Sequence, residues 1–494
     1  MSPPIGTGGH RPEVAGAAQV VVASNRGPVS HVLGADGQLS VVRGGGGLVA
    51  ALSGAGSAVW VCAALSDADR LAVRNCGGGH LDLQEGSGTA VRMLAIDAGT
   101  FTRAYSSIAN STLWFVHHLL FNTSVEPSFG ARFARDWDAY VDYNDAFAAA
   151  VAAEAAAGAR VVIQDYHLSL APRLLRGRRP DLRIGHFSHT PWAPPDYFKV
   201  LPDDIGRAVL EGVLGADRAG FLTRRWAEAF GRCCAQVLGA HVEGLGYAGP
   251  LTVHHNGVPT RLDVHALGVD GPALRARAAQ PDVQARLGAL REQVGGLRTI
   301  VRVDRTELSK NILRGLEAYR ELLDRYPQWR GQVVHLAFAY PSRHDLPVYR
   351  EYTAAVQRLA QAINDEFGTL HWQPLLLDVQ DDYARSLAAY GLAEVLLVNP
   401  IRDGMNLVAK EGPVLAADGC VLVLSREAGA AAELGADALL VNPFDVVGTA
   451  RALHEALSMD SVERAARCQR LAAAATALPP AAWLAGQLAD LDGR

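Results

Sequence analysis

Lysine is almost missing from this chain. Of its 46 basic residues only Lys199, Lys310 and Lys410 are lysines, and arginine fills every other cationic position. No lysine or arginine block appears and the net charge is −5, so an electrostatic footprint for nucleic acid or for a membrane surface is lacking. Six scattered cysteines, Cys62, Cys76, Cys233, Cys234, Cys420 and Cys468, have neither the paired spacing of a zinc site nor that of a disulfide framework, and read as reduced packing residues. The start, MSPPIGTGGHRPEV, has no basic stretch leading into an apolar core, and the alanine-rich run near Ala148 is broken by Glu154 and Arg160. A cytoplasmic protein without a membrane partner is the expectation.

At 494 residues, 49% of them apolar, the chain is too long for one core and predicts two domains. The apolar runs QVVVASNR, ARVVIQDYH and LRIGHFSHTP alternate with helical stretches in the first half, as do RTIVRVDR, QVVHLAFAYP, AEVLLVNP and CVLVLS in the second. Such alternation gives an α/β fold with doubly wound parallel sheets. Asn256-Gly257, between LTVHH and VPTRLDV, is a two-residue hairpin signal. DAFAAAVAAEAAAG reads as a helix closed by Gly158. Gly268 and Gly271 mark a hinge, dividing the chain into an N-terminus at 1–18, a first domain at 19–270, a second at 271–461, and a tail at 462–494. Strand C-termini of two such domains face one cleft.

Charge gathers at those strand ends. In IRDGMNLVAKEG, Asp403 and Glu411 are eight residues apart, about 12 Å along a helix, too far to flank one reacting atom. They suit the two ends of an extended ligand, with a helix N-terminus between them for an anion; taken singly, Asp403 reads rather as an ordinary N-cap and Glu411 as a solvated helix position. In VDRTELSKN, Arg305 and Lys310 form the cation pair that a departing diphosphate needs, or else a surface loop paired through Glu307. An ammonium kept under such an arginine bias suits a compact charge on phosphate. Asp165 of QDYHL and His189 of HFSHTPW stand at adjacent strand ends, able to orient sugar hydroxyls or act on a proton. Tyr166 and His186 stay outside the candidate set, because histidines in aromatic company commonly satisfy structure. The doublets His117-His118 and His254-His255 lack ligand spacing, so no metal is expected. SNRGPVS with RGGGGLV places Arg26 and the glycines up to Gly47 where backbone can approach an anion, without the lysine-serine ending of a P-loop or a dinucleotide fingerprint; no ATP or NAD cofactor is expected. Arg343 of PSR adds a second phosphate clamp.

Together SNRGP, GGGGLV, ANSTLWFVHH, QDYHLSLAP, HTPWAPPDYF, VDRTELSKN, AYPSR and IRDGMNLVAKE resemble the trehalose-6-phosphate synthases, retaining glycosyltransferases of family 20. The resemblance implies a GT-B fold, two Rossmann-like domains with a C-terminal helix crossing back from Val462 onward. It implies that Arg305 and Lys310 bind the donor diphosphate with the Leu407 and Val408 amides, that Asp403, Gly404, Met405 and Asn406 hold glucose, that Glu411 holds the ribose, and that His189 contacts the donor sugar. Asp165 would lie between the two sugars, and Arg26, Gly47, Tyr105, Trp114 and Arg343 would bind glucose 6-phosphate. The implied reaction transfers glucose from a nucleotide diphosphate to glucose 6-phosphate with retention, by a front-face mechanism without metal or cofactor. The partners are small-molecule substrates, and homo-oligomers are common among such enzymes. Alternatives at this point are another phosphorylated acceptor, such as glycerol 3-phosphate or an aminocyclitol phosphate, and a nucleotide-sugar sensor without turnover. Two departures stand out. The family's usual Arg-Leu-Asp-Tyr-Ser-Lys-Gly is Arg-Thr-Glu-Leu-Ser-Lys-Asn here, which leaves the donor base open between GDP, UDP and ADP, and a second aromatic after Trp60 is replaced by Ala63 or Ala64.

Overall fold

The computed structural model describes residues 18–34, 36–43, 58–77, 79–81, 89–343 and 346–493. The expected N-terminal segment, apart from its last residue, and the glycine run containing Gly47 lie outside these residues.

The first sheet has ten strands. Its parallel part runs, in spatial order, Val258–Val264, Arg218–Phe221, Arg183–Ser188, Ala155–Gln164, Ala18–Ala23, Ala58–Ala63 and Thr89–Leu94. His80–Leu81 closes one edge antiparallel, and Leu251–His255 with His241–Glu243 extends the other. The second sheet is all parallel: Leu375–Asp378, Val333–Tyr340, Arg298–Arg305, Val395–Val398, Val421–Ser425 and Leu439–Val441. The second sheet has the doubly wound strand order 3-2-1-4-5-6, and the seven parallel strands of the first have the same order with one strand added, 3-2-1-4-5-6-7. The central strands read as unbroken apolar runs because helices cover both faces. Val301 and Val303 face the core shared with the first domain, whereas Ile300 belongs to a separate cluster with Leu316 and Val395 on the outer face. That is the two-residue alternation of a strand.

Asn256 and Gly257 both take positive φ, 51° and 78°, and join Leu251–His255 to Val258–Val264 as the expected tight hairpin. Gly158 does not close a helix. The helix Ala131–Glu154 ends four residues earlier, and Ala155 already pairs with Ala18 in the sheet. Gly158, at φ 68°, sits in the strand where the register with Ala18–Ala23 shifts. Alanine's helix propensity yields here to pairing with the central strand, and Glu154 is tied off by His80 at 2.8 Å.

The return to the first domain also differs in detail from expectation. Ser461–Thr476 packs on the helix Val408–Leu415 and the strand Val421–Ser425 of the second domain. Only Pro480–Asp492 reaches the first sheet, where Leu491 fills the space above Gly185 and Trp483 packs edge-on against Phe187 at 4.8 Å. The two crossings run side by side: Gly268 N–H donates to Leu478 O (2.8 Å) and Val269 N–H to Ala475 O (2.9 Å). A Cβ at residue 268 would lie 2.5 Å from the Leu478 oxygen, so glycine is required there. Lys410 Nζ clamps this hinge from the second domain, donating to Leu267 O (2.8 Å) while paired with Glu433 (2.8 and 2.9 Å). Lys199 donates to Gln236. Of the three lysines, then, Lys310 alone pairs with Asp403.

Candidate functional site

In a doubly wound sheet, ligands bind where the strand order reverses, beyond the ends of the first and fourth strands. Four such ends meet here. Ala18–Ala23 leads into Ser24-Asn25-Arg26, and Ala155–Gln164 into Asp165. Across the cleft, Arg298–Arg305 leads to Lys310, and Val395–Val398 to the turn containing Asp403.

A cavity of about 820 Å³ lies between the domains, lined by Arg26, Tyr105, Trp114, Asp165, His189, Arg305 and Arg343 among others. Tyr105 belongs to a wide-turned helical stretch, Arg103–Leu113, in which Ser111 and Thr112 hydroxyls donate back five residues to Ser106 O and Ser107 O. Widening the turn brings Tyr105, Asn110 and Trp114 onto one cavity face, and turns of this kind recur at functional sites. Below them Trp60 Nε1 donates to Ser24 Oγ (2.7 Å), which donates to Arg26 O (2.7 Å), so Trp60 is a core prop for the Arg26 loop.

Asp165 has φ 70°, a region few non-glycine residues adopt. The conformation is held from three sides: its N–H donates to Phe187 O (2.7 Å), its carbonyl accepts from Leu168 (3.0 Å), and Oδ1 accepts the His189 N–H (3.1 Å). Desolvation pushes its carboxyl above the ordinary range. The His189 ring lies 2.7 Å from Gln164 Oε1 and packs on Phe187 and Trp483, and burial lowers its basicity. The pair is therefore a fixed carboxylate beside a histidine biased to its neutral form.

Arg343 crosses from the second domain to complete this wall. Its guanidinium sits 4.1 Å over the Trp114 ring, donates to Tyr349 OH (2.9 Å) and reaches Tyr166 OH (3.3 Å), which donates to Asn110 (2.8 Å). Tyr166, left outside the candidate set, thus belongs to the cavity wall; its signal was the same DYHL motif that carries Asp165. His186 is buried, with Nε2 3.4 Å from Asp165 O.

On the second domain Lys310 Nζ pairs with Asp403 Oδ2 at 2.6 Å. Desolvation works to raise the Asp403 carboxyl, but Lys310 outweighs it and holds the group below its usual range. Asn406, at φ 85°, donates to the same Oδ2 (3.1 Å) and caps the following helix by accepting Ala409 N–H on Oδ1 (3.1 Å). Asn311 takes φ 59°, and its side chain donates to Asn399 O (3.0 Å) and Pro443 O (2.7 Å), which compensates for the left-handed backbone. Gly404 lies directly against the first domain: a Cβ there would be 1.9 Å from His189 O, and Trp226 Nε1 donates to Gly404 O at 2.9 Å. Arg402 adds a second tie, donating to Trp192 O (2.9 Å) and lying 4.6 Å over Trp226. Met405 is buried, its carbonyl accepting from Ala430 (2.8 Å), and Leu407 and Val408 open the helix.

Glu411, on that helix, is not among the residues lining the large cavity. Desolvation raises its carboxyl to about 7, partly offset by a hydrogen bond from Tyr390. A carboxyl raised in the folded state favours folding most below its unfolded value of 4.5, and this contribution is lost as pH climbs through about 7. Glu411→Gln is therefore expected to melt with the wild type near pH 5 but above it at pH 8, by about 2–4 °C for each kcal/mol relieved. Thermal melts of both proteins across that range check this.

Among the described residues one group could hold a cation, Asp263, His265 and Asp490, beside the C-terminal end of Val258–Val264. Asp263 there already pairs with Arg218 at 3.1 Å, and none of the three lines the cleft. Among the described residues no helix is long and apolar enough to cross a membrane.

The family model for glycosyltransferase family 20 matches residues 18–492. A trehalose-6-phosphate synthase of a Mycobacterium species is 34% identical over 467 residues, 92% of each chain. A bifunctional trehalose-6-phosphate synthase/phosphatase of Thermoproteus tenax is 37% identical over 372 residues, 75% of this chain. The chain spans 48% of that relative's length, and 62% and 44% of two other relatives. Among solved structures, an alpha,alpha-trehalose-phosphate synthase (UDP-forming) of Burkholderia xenovorans in complex with glucose 6-phosphate superposes with a TM-score of 0.82 at 26% identity, covering 96% of this chain and all of that one.

Proposed function

The chain belongs to glycosyltransferase family 20 and has the GT-B fold, and on that footing we propose that it transfers glucose from a nucleotide diphosphate glucose to glucose 6-phosphate, forming alpha,alpha-trehalose 6-phosphate. The observation that carries this reading is one cavity in which Arg26 and Arg343 face the same space as Asp165, His189 and Arg305. A phosphorylated sugar and a diphosphate leaving group need cations at two places with a polar centre between them.

In this reading the first domain, 19–270, takes the acceptor and the second, 271–461, the donor. Arg26 and Arg343 hold the acceptor phosphate, and the Tyr105 and Trp114 rings suit a hexose face. Arg305 and Lys310 take the donor diphosphate together with the free amides of Leu407 and Val408. Asp403, released from Lys310, and the Gly404-Met405-Asn406 turn accept glucose hydroxyls, and Glu411 the ribose. Asp165 and His189 orient the two sugars. Asp165 is already committed to the His189 amide at 3.1 Å, so it is a poor nucleophile for double displacement. A front-face transfer fits better: the leaving phosphate oxygen takes the acceptor proton as the glycosidic bond forms on the same side, and configuration is retained.

The test is nucleotide diphosphate release from ADP-, UDP- and GDP-glucose, each with and without glucose 6-phosphate, with product mass read from the same tubes. Release that depends on glucose 6-phosphate and yields a phosphorylated disaccharide is the expected result. Silence with all three donors overturns the reading.

A further inference from the structure

Glu307 is fully buried, at 0% exposure, in the loop between Arg305 and Lys310. Its Oε1 lies 3.1 Å from Arg305 Nη1 and accepts the Ser342 hydroxyl at 2.8 Å. Its Oε2 is enclosed with no hydrogen-bond partner among the described residues. Ser342 is the neighbour of Arg343, so one carboxylate touches the loop of a donor-side arginine and the loop of an acceptor-side arginine.

The backbone explains why the two loops meet. Arg298–Arg305 and Val333–Tyr340 are adjacent parallel strands with Arg305 opposite Tyr340. Past the sheet, Thr306 N–H donates to Tyr340 O (2.6 Å) and its hydroxyl to Ala339 O (3.0 Å), and Glu307 with Ser342 makes the next link outward. Beyond that link Arg343 turns at φ 49° toward Trp114 and Tyr166. The Arg305 side chain is 56% exposed, and among the described residues Glu307 is its ion-pair partner.

A buried carboxylate beside cations seldom adds net stability, because desolvation consumes what the ion pairs return. What it does supply is geometry. We propose that Glu307 is a positioning residue that fixes Arg305, at the donor diphosphate, and the Ser342-Arg343 turn, at the acceptor phosphate, in one register. Desolvation works to raise the Glu307 carboxyl, and Arg305, Arg343 and Lys310 outweigh it, so it is held below its usual range and stays charged. The inference deepens the proposed function and rests on it for the identity of the two phosphates.

Glu307→Gln keeps the side chain's size and the acceptor for Ser342 but removes the charge that orients Arg305. The expected result is a kcat lower by about 10²-fold, the cost of a misplacement near 1 Å, with KM raised for both substrates and the melting temperature not lowered. Glu307→Asp restores charge at a shorter reach and is expected to recover part of kcat. Ser342→Ala cuts one arm and is expected to raise KM for glucose 6-phosphate alone. Calorimetric binding of UDP and of glucose 6-phosphate reads the same variants without turnover. Unchanged affinity for both in Glu307→Gln overturns the inference, as does a kinetic loss that only tracks unfolding. A wild type that binds both ligands but makes no phosphorylated disaccharide overturns the proposed reaction and not the role of Glu307.

Discussion

Arg305→Ala is expected to lower turnover by about 10³-fold, the scale on which arginines that neutralise a departing phosphate act. Charge grows on the diphosphate as the bond to glucose breaks, and a half-exposed guanidinium at the mouth of the cavity meets it without first paying to move. The fold is expected to persist: the side chain is 56% exposed, and the Glu307 carboxylate left behind keeps Ser342 at 2.8 Å. Steady-state rates set beside a thermal melt separate the two outcomes. Normal turnover would remove Arg305 from the leaving-group site.

Gly404→Ala is expected to be as damaging by a different route. A methyl at that position would lie 1.9 Å from His189 O and 3.2 Å from the Thr190 carbonyl carbon, both backbone atoms that cannot swing aside. The second domain could then not seat the Asp403-Gly404 turn against His189, and a displacement of about 1 Å at reacting groups costs on the order of 10²-fold. The outer face of the second sheet has its own core around Ile300, Leu316 and Val395, so the variant is expected to remain folded but more open. Turnover combined with the radius of gyration from small-angle scattering checks this; an active, compact variant would show that the cleft need not close on Gly404.

Much of this architecture is readable from the chain because strands buried on both faces must be unbroken apolar runs, and their ends are where charge becomes affordable. Arg26, Asp165, Arg305 and Asp403 each follow such a run directly or within a few residues. Asn256-Gly257 gave its turn away through the need for positive φ. Other features depend on contacts that no local pattern carries. Ala155 is a good helix former that nevertheless becomes a strand residue, because Ala18 lies beside it. Lys410 shares the scarcity of Lys310, yet its place on the helix points it to Glu433 and the hinge. Tyr166 and Glu307 acquire their significance only when Arg343 arrives from another strand. In the tail, nothing in the alternation of SVERAARCQRLAAAAT distinguishes the domain on which it packs, and the crossing is set by Trp483 and Leu491 a few residues later.

The paired crossing at Gly268 and Leu478 also bears on how the molecule is made. In chain order the second sheet is an insertion within the first domain, to which the 13-residue helix Pro480–Asp492 returns. During synthesis the first sheet must wait, with Gly185 and Phe187 uncovered, until the entire second domain has emerged from the ribosome. The second domain's outer core around Ile300, Leu316 and Val395 lies wholly within residues made before that helix. Because Trp483 rests against the His189 ring at 5.5 Å, the same late helix also seats a cleft residue, and the cleft wall is completed only after both sheets have been made.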